Sequence, residues 1–384
     1  MIICYSCQNK PQITESYLGS YSKDTIFVKP NKQDLLNAKS YDITDFVSLE
    51  LPSACSYIDF HQVKITKERI YVLDQRFNKT VFVFDRNGGF LFKMGKFGHA
   101  RDEFIDKPTF FDIDKATGDV YIFEDDSHRI LVFNKEGTYI KSIILKEDTY
   151  PSNIVRTDEG HFMFSMSYSL NSPSQSALSL HDESLELIKP LLKYSDENRD
   201  RRLPWFDTAF YHDTRIAFTP FGADSVILFN GDKVEKVLKI DFDGSFIPEE
   251  EIDKACLERT WEPLLNYQGV QFIDVCEVTD SLIHIRYSYS KYRYHYIQYF
   301  SDNRSYNSHH DGFLKYGSSG QFCTVYDDNI VYLYSEDDIN DVKNKYQQST
   351  KDVKIRIMNG AMPLVKRIIE DNISGPALMM VKLK

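Results

Sequence analysis

The chain has 384 residues, a length that holds either two average domains or one large all-β domain. Hydrophobic residues make up 42%, ordinary for a chain with a real core, and aromatics reach 14%, which favours pleated sheet. With 46 Lys and Arg against 57 Asp and Glu the net charge is −11, a balance that repels a phosphate backbone and argues against nucleic-acid binding.

The amino terminus reads Met1-Ile-Ile-Cys-Tyr-Ser-Cys7. It lacks the long apolar run of a full secretory signal. Small Ser6 just before Cys7 nevertheless resembles the end of a bacterial lipoprotein signal. On that reading 1–7 is a signal remnant and Cys7 is the lipidated first residue of the mature protein. The segment 8–42, rich in Lys, Asn, Ser and Gln, is then a tether. Two other readings stand beside it. One is a terminus without function; the other is a Cys4-x-x-Cys7 redox or metal pair, which no second CxxC supports.

Ile43 to Leu51 alternates well enough for a first strand, and Pro52 ends it. A strand unit then occurs twice. The first copy is Arg69-Ile-Tyr-Val-Leu-Asp74, Thr80-Val-Phe-Val-Phe-Asp85 and Asn87-Gly-Gly-Phe-Leu-Phe-Lys93. The second is Asp119-Val-Tyr-Ile-Phe-Glu124, Arg129-Ile-Leu-Val-Phe-Asn134 and Glu136-Gly-Thr-Tyr-Ile-Lys141. A strand repeat with a period of about 40–50 residues is the mark of a propeller blade. Six blades at roughly 50–60 residues each use up the chain.

His61 to Ile65 opens the first blade, Phe110 to Asp114 the second and Ile154 to Arg156 the third. Ala177–Leu180 and Leu185–Ile188 read as outer strands of the third. Blade four takes Arg215–Thr219, Ser225–Phe229 and Val234–Phe242, with an Asn230-Gly231 hairpin turn. Blade five takes Leu282–Tyr287 and Tyr294–Phe300. Blade six takes Phe322–Tyr326 and Ile330–Tyr334, and Ala377–Leu383 is the last strand. Helices are expected from Pro248 to about Trp261, from an N-cap at Ser335 to about Gln347, and from Pro363 to Asp371. A ring of this kind has two raw edges. The strand near Phe46–Leu51 is placed to close them beside Ala377–Leu383. The expected fold is thus all-β: a six-bladed β-propeller over 43–384 with short helical insertions in the later blades.

Cys55, Cys256, Cys276 and Cys323 show no zinc spacing and read as buried small hydrophobes; a disulfide pairing among them cannot be read from sequence. No stretch of about 18 apolar residues exists to form a transmembrane helix.

The series Ile70-Tyr-Val-Leu-Asp74, Val83-Phe-Asp85, Gly88-x-Phe90, Lys93-x-Gly95 and Gly98 resembles the six-bladed β-propeller lipoproteins of Bacteroidetes, which are related to NHL repeats. Asp126-Ser-His-Arg-Ile-Leu-Val-Phe133 is similar to the core of an NHL repeat, and the closing Pro376 to Lys384 fits too. The resemblance covers 43–384. It implies a lipid-anchored protein outside the cytoplasm, at the periplasmic face or cell surface, with no defined activity. One departure is the loop after the first blade. It reads Phe97-Gly-His-Ala-Arg-Asp-Glu-Phe104, stiffer and more charged than the Gly- and Pro-rich loop the family uses.

Three groups of residues carry candidate chemistry. His61, Asp112, Asp114, Asn153 and Asp274 sit on inner strands, where related propellers hold metals. Calcium would need about six to eight oxygens converging there, and the competing reading makes Asp112 and Asp114 turn caps. His309-His310 is the densest His cluster and reads as a solvated loop. Tyr287 to Tyr296 holds Tyr289, Lys291, Tyr292, Arg293, Tyr294 and His295. As a hairpin it would put an aromatic and cationic platform on one face, suited to sugars or peptides, against a reading as inter-blade packing. Trp205 is a comparable candidate on a loop. No nucleophile elbow, phosphate-cradling Gly loop or HExxH occurs. The leading function is a monomeric binding or scaffold module for a glycan, peptide or partner protein, held to the membrane by lipid only and needing no cofactor. The rival is a metal-dependent hydrolase or lyase with its site in the central channel, for which calcium is a candidate ion.

Overall fold

The computed structural model describes residues 23–30, 40–53, 55, 57–124, 127–146, 151–166, 176–193, 209–212, 215–220, 222–258, 260–309 and 321–384. Two strands precede the repeats, β1 (Lys23–Phe27) and β2 (Tyr41–Ser48). Blade 1 is β3 (Gln62–Ile65), β4 (Arg69–Asp74), β5 (Thr80–Asp85) and β6 (Phe90–Met94). Blade 2 is β7 (Pro108–Ile113), β8 (Val120–Glu124), β9 (Arg129–Phe133) and β10 (Tyr139–Ile144). Blade 3 is β11 (Pro151–Arg156), β12 (Phe162–Met166), β13 (Ser176–His181) and β14 (Leu187–Lys193). Blade 4 is β15 (Ala209–His212), β16 (Ile216–Thr219), β17 (Ser225–Asn230) and β18 (Lys233–Asp241). Blade 5 is β19 (Val270–Val278), β20 (Leu282–Tyr289), β21 (Tyr292–Tyr299) and β22 (Ser305–Ser308). Blade 6 takes β23 (Gln321–Tyr326), β24 (Asn329–Tyr334) and β25 (Ala377–Leu383), and β2 is its fourth strand.

Each blade is an antiparallel meander, and the first strands of neighbouring blades touch one another, so they surround a central channel. The six-bladed ring expected from the repeat is what forms. The strands alternate because each blade packs both faces against its neighbours. Ile70, Val72, Phe82 and Phe84 face blade 6; Tyr71, Leu73, Val81 and Val83 face blade 2. Near-continuous apolar strands such as β9 and β12 are therefore buried on both sides.

Closure follows the expectation. β2 pairs antiparallel with β25, Phe46 opposite Met379 and Ser48 opposite Ala377. Gly88, with φ of 90°, lies against this seam: a Cβ there would stand 2.0 Å from the Ser48 carbonyl, and its own carbonyl accepts from Glu50 N. The segment expected as a tether is more than that. Within it, β1 adds a fifth strand, parallel to β18, on blade 4. Val28 N then donates to Asp241 O, and Asn307 of blade 5 donates to Lys29 O at 2.7 Å. Residues 23–29 thus touch blades 4 and 5, and residues 41–48 join blade 6.

Helices α1 (Glu249–Glu258) and α2 (Glu262–Asn266) lie between blades 4 and 5 over a small core of Ile247, Ile252, Ala255 and Leu264. Helix α3 (Glu336–Gln348) starts at the expected cap, where Ser335 and Asp338 form a reciprocal capping box. With α4 (Lys351–Arg356), a π turn over Ile357–Ala361 and α5 (Pro363–Glu370), it is inserted between β24 and β25. Ile339, Val342, Leu364 and Ile368 pack on the blade 6 core. The β17–β18 hairpin differs by one residue from expectation: the tight turn of blade 4 is Gly231-Asp232.

Candidate ligand site at the channel mouth

The carboxyl ends of the inner strands surround an open cavity of about 930 Å³. Its wall is built by the first turn of each blade that borders it: Thr66–Arg69, Asp114–Gly118, Asp158 and Val325–Asp327, with Tyr211 from blade 4. Tyr211 Oη reaches past blade 5 to donate to Val325 O of blade 6. The volume falls in the range of small-ligand pockets, and the lining mixes Tyr rings with charges of both signs.

Those charges are set by contacts between blades. Lys64 Nζ of blade 1 lies 2.5 Å from Asp112 Oδ1 of blade 2, and Asp112 Oδ2 accepts from Arg156 N of blade 3 at 2.6 Å. The Arg156 guanidinium sits against the Tyr121 and Phe162 rings and reaches Asp114 and Glu183, at 3.4 and 3.0 Å. Gln62 adds an amide clamp, donating to Phe111 O and accepting from Phe111 N. A buried ion pair of this kind persists because each charge has several partners.

The metal candidates therefore fall apart as a set. Asp112 and Asp114 lie in the channel wall, but Lys64 and Arg156 already balance them. Asp274 is held by Arg286, both its oxygens 3.0 Å from Nε. His61 is exposed at the start of blade 1, and Asn153 lies mid-strand in β11. Among the described residues no three His, Cys, Asp or Glu side chains come together as a metal group.

The Tyr-rich hairpin turns at Ser290-Lys291, both at positive φ as a two-residue hairpin requires. Its expected platform divides. Tyr294 and His295 are buried, Tyr294 stacking on Tyr287 and edge-on to Tyr289. Lys291, Tyr292 and Arg293 remain exposed, and Tyr292 meets the ring of His309 at 6.0 Å. His295 is no surface cation: it belongs to a buried chain that the sequence reading did not find. Thr324 donates to Glu277 Oε1, Glu277 Oε2 bonds His284 Nδ1, and His284 Nε2 bonds His295 Nδ1, each at 3.0 Å. Burial, then the charges of His295 and Arg286, hold His284 well below its usual pKa. Neutral His284 donates from Nδ1 to the carboxylate, so its Nε2 accepts from His295. The signal was there: a His between apolar neighbours in Leu282-Ile-His-Ile. Burial also pushes the Cys276 thiol up, so it is no nucleophile at neutral pH. Cys55, Cys276 and Cys323 are free thiols. Cys7, Trp205 and His310 lie outside the described residues, as does the side chain of Cys256.

A family described as a domain of unknown function, DUF4934, matches residues 24–361. The chain belongs to that family. The matched span runs from β1 to the π turn of blade 6, so the DUF4934 match includes the strand added to blade 4 and stops short of β25. No curated relative matches the sequence. Among solved structures, a Bacteroides fragilis protein designated as exported is similar over 94% of this chain and 100% of its own, with a TM-score of 0.75 at 15% identity. A member of the DUF4221 family from Bacteroides vulgatus is similar over 90% of this chain and 99% of its own, with a TM-score of 0.53 at 7% identity. At these identities the likeness is one of fold, and it extends over nearly the whole chain in both cases.

Proposed function

We propose that the protein is an extracytoplasmic binding module, anchored through a lipid on Cys7, that takes a glycan, a peptide or a segment of a partner protein at the channel mouth. The observation that carries this reading is the open cavity of about 930 Å³, whose ion pairs are already in place. Pre-set charges of both signs suit a ligand with hydroxyls or paired charges, and a pre-formed site avoids the cost of ordering side chains on binding. The Bacteroides fragilis neighbour designated as exported supports the compartment. The NHL-like strand motifs and Ser6-Cys7 support a lipoprotein of the Bacteroidetes propeller type.

Thermal unfolding with glycan and peptide libraries tests the site. A ligand at a hundred times its Kd raises stability by about 2.7 kcal/mol. The rise is expected to vanish in Lys67→Glu and Asp158→Lys, which change exposed mouth positions, and to survive EDTA. A ligand whose effect ignores both substitutions would place binding elsewhere. Labelling with a palmitate analogue in the native host, lost in Cys7→Ser, is the expected result for the anchor.

A further inference from the structure

Strand β4 leaves the channel mouth at Arg69 and ends at Asp74, about 20 Å away on the opposite face of the ring. Three aromatic side chains stand in water there. Tyr57 is 49% exposed, Phe77 64% and Phe97 55%. Single exposed rings are ordinary, but these are joined. Tyr57 and Phe77 meet edge to face at 4.8 Å, and Lys79, from the turn that carries Phe77, places Nζ 4.1 Å over the Phe97 ring.

The rings are also fixed from beneath. Fully buried Asp74 accepts from the amides of Arg76 and Phe77 and from Asn78 Nδ2. Asn78 Nδ2 in turn donates to Tyr57 O, tying the two loops together. The loop bearing Phe97 is pinned by buried Phe104, whose N donates to Lys96 O and whose O accepts from Gly98 N. Gly95 makes this fit, since with φ of 70° a Cβ would stand 2.3 Å from the Phe104 ring. Glu103 adds bonds to Ala100 N and Lys96 Nζ, both 2.9 Å. The stiff, charged loop seen in the sequence is thus a rigid ring-holder. At its border Arg76 lies 3.8 Å from Asp59, an exposed donor fork beside an acceptor.

We infer that this platform is a carbohydrate-binding site, distinct from the channel mouth. Sugar rings present apolar C–H faces that lie on aromatic rings, and vicinal hydroxyls that pair with a guanidinium and a carboxylate. A folded protein fits less well. Three half-exposed rings offer about 300 Å², well short of the roughly 800 Å² per partner of a stable protein interface.

The test is affinity electrophoresis of the purified full chain through gels containing xylan, glucomannan, dextran, pectin or heparin, followed by a glycan array. At least one carbohydrate is expected to bind. Phe77→Ala and Phe97→Ala are each expected to weaken binding at least tenfold with Tm unchanged, while Lys141→Glu, on the exposed outer strand of blade 2, leaves it intact. Three results would overturn the assignment: no carbohydrate bound in either format, binding that persists in the Phe77→Ala/Phe97→Ala double variant, or binding abolished by Lys141→Glu alone.

Discussion

His284 is the residue whose surroundings make the firmest claim on behaviour. Its folded pKa is held well below the 6.5 of a free His, while the unfolded chain still titrates there. The unfolded state therefore binds the extra proton. Stability is whole above that pH and falls as pH drops beneath it, by about 1.4 kcal/mol per unit for one such group. His181, stacked on Phe164 and bonded to Ser179 and Leu185 O, is displaced the same way by burial. Urea titrations from about pH 7 to about pH 5 should show the fall, and its slope should shrink by about one proton in His284→Asn. Lys64 gives a second expectation. In Lys64→Met, Asp112 loses its cation in a buried site, and stability should drop by about 3 kcal/mol. The added change Asp112→Asn should restore part of it. A single-variant loss under about 0.5 kcal/mol would mean that Arg156 N and water suffice.

Elements show why some of the molecule was legible and some was not. Strands with strict alternation or unbroken apolar runs, such as β4, β5, β9 and β25, stand out in the sequence because both faces meet neighbouring blades. β19 hides because two bulges break its period, and because buried Gln271 and Glu277 read as polar surface. β1 hides for another reason: five residues pair in parallel with a strand more than two hundred positions away, which no local pattern signals. At the site, Asp112 was legible as a channel acid. Its partners were not, because Lys64 and Arg156 belong to other blades. Gly88 is the element-scale test of the seam. Gly88→Val adds strain at a positive φ and a clash with Ser48 O. It should lower Tm by several degrees and raise amide exchange in β2 and β25 before the rest.

At the scale of the whole molecule the two amino-terminal strands are unequal. Removing residues 1–30 strips β1 but leaves six four-stranded blades, so a cooperative fold with a reduced Tm is expected. Removing 1–48 also takes β2, leaving blade 6 with three strands and β25 with a bare edge. That form is expected to aggregate or to lose its sharp thermal transition, as followed by circular dichroism and light scattering. Equal behaviour of the two truncations would mean that β2 is an ornament and not a clasp.

That clasp also sets a clock. Phe46 must wait for Met379, so the ring stays open until translation has passed β25. The wait adds little in free energy, since each doubling of a loop costs about 0.6 kcal/mol. It matters for rate, because such distant pairings form slowly and leave strand edges bare meanwhile. A nascent chain of this protein is thus a customer for chaperones until its final strand emerges.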